Sequence, residues 1–189
     1  MRERKQDILD AALRAFTDKG FAAATVADVR QLSGASTGSI YHHFGDKEGL
    51  AAALFLAGIR DYQAGLRGVL ARETDAERGV KALVRHHLRW VAAHPDLARF
   101  ILAGRPPGAA EELARLNRET FAATERWLAE RGLRSLPLEL IYAVLIGPAQ
   151  EFCRHWLEGR APTSMTIAER ELGAAAWRAL RPERQDRDG

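Results

Sequence analysis

The sequence predicts an all-α protein, in which an N-terminal three-helix bundle with a helix-turn-helix precedes a larger antiparallel helical domain. Three observations predict this. Ala, Leu and Arg number 34, 23 and 24, against 22 for Val, Ile and Thr together. The first group loses little side-chain entropy in a helix, and the β-branched group loses more. Apolar residues also recur at helical spacing along the chain, and caps, glycines and prolines cut that pattern into separate helices.

The first helix reads from Arg4 to Lys19, with Ile8, Leu9, Ala12, Leu13 and Phe16 on one side. Gly20 supplies a left-handed stop, and Phe21 can pack back on the last turn. Thr25-Val-Ala-Asp28 matches a capping box and opens a short helix that ends near Ser33-Gly34. Ser36 caps a third helix reaching His43; Gly45-Asp46 then starts a fourth, Lys47 to Arg72. Ala76 to His94 carries Val80, Leu83, Val84, His87, Leu88 and Val91 as a stripe, and Pro95 stops it. Asp96 to Ala103 is short, and Arg105-Pro-Pro-Gly108 is a turn. Ala109 to Arg131 follows, then one apolar helix from Pro137 to Glu158 with Pro148 inside it, and a last helix from Thr166 to Leu180. The composition changes most near residue 60, which divides the chain into domains at 1–60 and 61–181 and a polar tail at 182–189.

At 47% hydrophobic and 28% charged, the 189 residues can bury a core. A formal charge of +3 excludes both an acidic solvating chain and a histone-like polycation. Cys153 stands alone, so no intrachain disulfide can form, which fits a reducing compartment. The N-terminus runs into the amphipathic pattern without a signal-type apolar block. The most apolar stretch, Leu140 to Ala149, falls short of the roughly 20 residues a membrane helix needs. A cytoplasmic chain with no membrane partner is expected.

Thr25 to His43 has the dimensions of a helix-turn-helix. Val26, Val29, Ala35 and Ile40 fill its small core, and Gly34 takes the turn. Ser36, Thr37, Gly38, Ser39, Tyr41 and His42 are left facing outward, a set of hydrogen-bonding groups suited to base edges and phosphates. Simple helix packing is the alternative that pattern alone leaves open.

The residues themselves are more specific. The run from Thr25 to Leu50, above all Gly38-Ser-Ile-Tyr-His-His-Phe-Gly-Asp-Lys-Glu48, resembles the DNA-binding signature of the tetracycline-repressor (TetR) family. The likeness reaches back through Ala11-Ala-Leu-Arg-Ala-Phe16 and Gly20-Phe21, and loosens beyond residue 55. It implies a homodimeric transcriptional regulator, a repressor, that leaves a pseudo-palindromic operator in double-stranded DNA when a small molecule binds. By that resemblance Thr25 and Ser36 cap helices and touch phosphates, and Thr37, Gly38 and Ser39 approach bases. Tyr41, His42 and His43 contact the backbone or a base, and Lys47 holds a phosphate. The second domain would bind the effector and dimerise. Arg30 stands where the family usually has a small residue, so it either swings outward to a phosphate or alters the helix spacing. Residues 1–60 hold eight Lys and Arg against seven Asp and Glu. Non-specific affinity rests on neutralised phosphates, so weak non-specific binding and reliance on dimerisation are expected.

Elsewhere the signals are broader. His87, Phe121, Trp127, Tyr142 and Phe152 are expected to wall a pocket for a small, largely apolar effector; the alternative is a closed core in which the rings touch one another. Leu138, Ile141, Leu145 and Trp156, with Leu172, Ala175, Ala176 and Ala179, form an apolar face suited to a homodimer interface. Six histidines and Cys153 invite a metal reading, but no pair has the i, i+4 spacing of a shared ligand face. Nucleophile-elbow, phosphate-loop and dinucleotide motifs are absent. No metal, no cofactor and no enzyme activity are therefore expected. A metal-dependent helical-bundle enzyme and a DNA-binding module without effector response are the competing readings.

Overall fold

The computed structural model describes residues 2–182, and every regular element among them is an α-helix. They are α1 (Arg2–Ala23), α2 (Val26–Ser33), α3 (Thr37–Phe44), α4 (Lys47–Arg72), α5 (Ala76–Ala93), α6 (Pro95–Leu102), α7 (Ala110–Glu130), α8 (Leu138–Leu145), α9 (Gly147–Leu157) and α10 (Met165–Leu180). Gly20 interrupts α1 with φ 76° and ψ 153°, outside the helical range, so the stop read from the sequence lies inside the assigned helix. The polar tail lies, from residue 183 on, outside the described residues. No helix among those described is long and apolar enough to cross a membrane.

One element differs from expectation. The single helix expected over Pro137–Glu158 is two, α8 and α9, divided at Ile146 with φ −112° and ψ −29°. Pro148 has no N–H to give the carbonyl one turn back, and its ring crowds that turn. It is tolerated only in the first turn of a new helix, which is where it stands.

The chain forms two compact units. One takes the residues up to Asp61 together with His94–Leu116; the other takes Tyr62–Ala93 and the residues from Asn117 on. Residues 94–116 therefore join the N-terminal unit although α5 separates them from it in sequence. The core of that unit gathers Ile8, Ala12, Phe16, Val29, Ile40 and Leu50, with Leu97 and Phe100 of α6 packed against it. Gly58 makes the fit close: a Cβ there would lie 2.9 Å from Ile101 and 3.1 Å from Leu97. On the surface Arg60 pairs with Glu112 at 2.7 Å, and Arg115 meets the same carboxylate at 2.7 Å.

In the second unit α5 and α10 pack along each other. Gly173 admits the backbone of α10 to Lys81, where a Cβ would already touch at 3.4 Å, and Arg89 holds Glu169 at 2.8 Å. Trp127 is buried beneath the start of α5, and its indole N–H donates to the Glu73 carbonyl at 3.0 Å. Gly79 makes room for that ring, since a Cβ would meet it at 2.2 Å. The Arg131 guanidinium stacks 4.2 Å over the indole and also donates to Glu73 and Thr74 carbonyls.

His87 is buried with its Nδ1 2.9 Å from the Tyr62 hydroxyl, while its Nε2 has no hydrogen-bond partner. Burial, helped by the neighbouring His86, pushes its pKa from 6.5 down to about 4, so the imidazole folds neutral. Below 6.5 the unfolded chain binds a proton that the folded chain refuses, so stability present above 6.5 drains away as the pH falls towards about 4. Thermal unfolding across that window should show the loss, and His87→Gln, which cannot titrate, should lose less of its midpoint over the same range.

Candidate nucleic-acid interface

The helix-turn-helix is assembled from short-range contacts. Thr25 caps α2: its hydroxyl accepts from the Asp28 N–H at 3.2 Å, and the Asp28 carboxylate accepts from the Thr25 N–H at 2.9 Å. Lys19 closes the box from α1 with an ion pair to Asp28 at 2.7 Å, and it is the main reason that the carboxyl is held down at about 2. Gly34 turns the chain in the left-handed region, φ 62°, and its N–H donates to the Arg30 carbonyl at 3.0 Å. Its own carbonyl accepts from the Arg4 guanidinium at 3.0 Å. Ser36 then caps α3, accepting from the Ser39 N–H at 3.1 Å.

Val29, Ala35, Ile40 and Phe44 are buried beneath the motif, with Val26 half-buried against them. Ser36, Thr37, Gly38, Tyr41 and His42 are exposed, and Ser39 and His43 are half-buried. Tyr41 is 49% exposed, a large ring with about half of its surface open to solvent. Gly38 is the informative residue. Its backbone is helical and a Cβ there would meet nothing within 4 Å, so nothing inside the chain requires glycine at that point. Arg30 points outward from α2, exposed, and leaves the Val29–Ala35 packing undisturbed.

Lys47 is engaged rather than free. Its ammonium donates to the carbonyls of Phe21, Ala22 and Ala24 at 3.0, 3.3 and 3.1 Å and lies 4.6 Å over the Phe21 ring. All three ammonium hydrogens are thereby used within the chain. Sequence reasoning missed this contact, and also Arg4, Lys19 and Lys5, whose ammonium sits 5.7 Å over Phe44. A basic residue near a glycine stop is the one signal that points to such a clamp.

The remaining expected residues fall into separate groups. Phe121 and Tyr142 are in contact, ring centroids 4.3 Å apart, and the Tyr142 hydroxyl donates to Thr124 at 3.1 Å. His87 faces Tyr62, Trp127 faces Glu73, and Phe152 is half-buried on α9. Tyr142 and Cys153 both add to the rise in the Tyr62 pKa that burial begins, which places them near the His87 pair. Of the residues on the apolar face, Ile141, Leu145 and Ala176 are buried within the chain, while Leu138, Trp156, Leu172, Ala175 and Ala179 are half-buried. Leu140 and Ile167, on the same helices, are 48% and 45% exposed. Among the described residues no three His, Cys, Asp or Glu side chains come together as a metal would need.

A family model for bacterial regulatory proteins of the tetR family matches residues 8–54, the span that holds this motif. The HTH-type transcriptional repressor KstR2 of Rhodococcus jostii is 26% identical over 178 residues, covering 89% of this chain and 87% of that one. The repressor AcnR of Corynebacterium diphtheriae is 39% identical, but over only 49% of this chain and 42% of its own length. The fatty acid degradation regulator FadR from Bacillus halodurans has the same fold, with a TM-score of 0.77 at 21% identity over 95% of this chain and 97% of that one.

An alanine at position 38 should separate stability from binding. Glycine in a helix costs up to about 1 kcal/mol relative to alanine, and the added methyl meets only solvent. Gly38→Ala should therefore raise the thermal midpoint slightly, and the same variant should bind DNA more weakly in an anisotropy titration. Unchanged DNA affinity would show that this glycine serves no close approach.

Proposed function

We propose that the chain is a DNA-binding transcriptional regulator of the tetR family, whose model matches residues 8–54, and that it is a repressor that a small effector releases from its operator. The observation that carries this reading is the outer face of α3, polar along its first turns and bare at Gly38, where internal packing asks for no glycine. Thr37, Gly38 and Ser39 approach base edges in the major groove. Ser36, Tyr41, His42 and His43 contact the backbone or an adjacent base, and Thr25 stands by a phosphate at the start of α2. Lys47 acts on DNA through the frame it holds, because its hydrogen bonds are already made.

Two chains pair through α8, α9 and α10, with Leu138, Trp156, Leu172, Ala175 and Ala179 in the contact and Ile141, Leu145 and Ala176 supporting it from beneath. Twofold symmetry in the protein asks for a pseudo-palindrome with half-sites about one helical turn apart. The effector is small, largely apolar and uncharged or weakly polar. The residues proposed to meet it are the rings of Phe121, Tyr142 and Phe152, with His87 as a polar anchor, and Trp127. An effector that favours one conformation of the dimer lowers operator affinity by its coupling free energy, about 1–3 kcal/mol or roughly 5- to 150-fold. Catalysis forms no part of this reading.

A titration of DNA selected from a random pool tests the interface. Tyr41→Ala should weaken binding to every sequence by a common factor, since backbone contacts position without specifying. Thr37→Ala or Ser39→Ala should instead change which base is preferred, by about 1–3 kcal/mol where a good base contact is lost. Equal affinity of wild type and Tyr41→Ala would remove α3 from the interface.

Sedimentation tests the pairing. The wild-type chain should run as a dimer at micromolar concentration. Ala175→Glu, at a half-buried position, should move it towards monomer while its helical circular dichroism is kept.

A further inference from the structure

A cavity of about 500 Å³ lies wholly within the unit that carries the helix-turn-helix, between α1, α6 and the loop that follows α6. Sites for small ligands span about 300–1,000 Å³. Three aromatic rings line it, among small residues and prolines. Phe16 and Phe100 stack at 5.7 Å with planes 17° apart, and Phe21 meets Phe16 edge-on at 5.3 Å. Glycines at 20 and 104 leave bare backbone where side chains would fill the space. Phe21 is 38% exposed, so the unit's own packing leaves an aromatic surface open towards the cavity.

Charge is confined to a few residues, Asp96, Arg99 and Arg105. Asp96 and Arg99 pair with each other at 2.8 Å and Arg105 is exposed, so the lining residues carry one net positive charge, while the Lys47 ammonium over Phe21 is already held by three carbonyls. A flat ring suits walls that already stack and meet edge-on. A single carboxylate suits Arg105, and a second negative charge would face Asp96. We propose that this cavity is a ligand site for a small aromatic monocarboxylate, distinct from the effector residues of the other unit. Its ring lies among Phe16, Phe21 and Phe100, and its carboxylate meets Arg105.

Occupancy would reach the DNA surface by a short route. Two of the three carbonyls that hold Lys47 belong to Phe21 and Ala22, and the same ammonium lies over the Phe21 ring. A ligand bracing Phe21 therefore bears on the start of α4, which only Gly45 and Asp46 separate from the end of α3. This consequence rests on the DNA-binding reading above; the site itself does not.

The probe is 1-naphthoate, with 1-naphthalenemethanol as its neutral counterpart, titrated calorimetrically into the full chain. Wild type should take up one naphthoate per chain. Ala103→Trp and Thr17→Trp, exposed positions on opposite walls, should each abolish uptake with the thermal midpoint kept. Arg105→Gln should weaken naphthoate about two- to fivefold, the range of an exposed charge contact, and leave the alcohol unchanged. Tyr142→Ala should bind as wild type does. Absence of saturable binding overturns the site, as does binding that survives both tryptophans or is lost only in Tyr142→Ala. In a separate operator titration, naphthoate should change the affinity of wild type and not of Ala103→Trp. No change in wild type overturns the route through Phe21 alone, whereas failure to bind DNA without naphthoate overturns the functional reading and leaves the site standing.

Discussion

The placement of the reading surface depends on one ammonium group. Lys47 opens α4, and it holds the three carbonyls left without helical partners after Gly20 breaks α1. Thr25, which caps α2, follows the last of those carbonyls by one residue, and α3 ends just before Lys47 itself. One side chain thus ties the end of the first helix, the beginning of the second and the end of the third. Two of these hydrogen bonds are exposed and one is half-buried, so solvent screens each of them, and the tie rests on three acting together from one donor. The Lys19–Asp28 pair repeats the device on a smaller scale, fastening the α2 cap to α1.

The two units use polar groups in opposite ways. In the N-terminal unit the polar contacts are exposed or half-exposed and serve as caps and ties between short helices. In the other unit several are sunk among apolar helices: Tyr62 with His87, Gln63 with Asn117 at 2.9 Å, and Thr124 with the Thr120 carbonyl at 2.9 Å. Buried groups of this kind are costly unless matched, and Gln63 Oε1 and His87 Nε2 remain unmatched.

What was legible in the sequence was local. The Thr25–Asp28 box, the Gly34 turn and the Ser36 cap each depend on residues within four positions and are present in the structure, while Gly20 breaks the helical path inside α1 instead of ending it. The dense signature from Gly38 to Glu48 points to the family for the same reason, because it lies in one continuous segment. Contacts between distant residues were not legible. Lys47 meets carbonyls more than twenty positions back, and Trp127 needs a glycine at 79 that the helical pattern gives no reason to notice. The apolar pattern runs on across Pro148, so a single helix is expected there, and only the backbone angles at Ile146 show a division. The effector residues illustrate the same limit. They share a composition, yet the contacts of Trp127 lie with Glu73 and those of His87 with Tyr62.

The interleaving of the two units constrains how such a protein can be recombined. The N-terminal unit is closed by α6 and the opening of α7, whose residues Leu97, Phe100 and Ile101 pack on its core and reach the chain only after α5 has been laid down. A gene fusion cut once near residue 60 would carry away the DNA-reading helices without the segment that covers them. It would supply in its place a foreign α6, cut to fit a different Gly58 and Phe16. Shuffling of sensory and reading modules along this line therefore selects for partners that already agree at α6, a helix outside the helix-turn-helix itself.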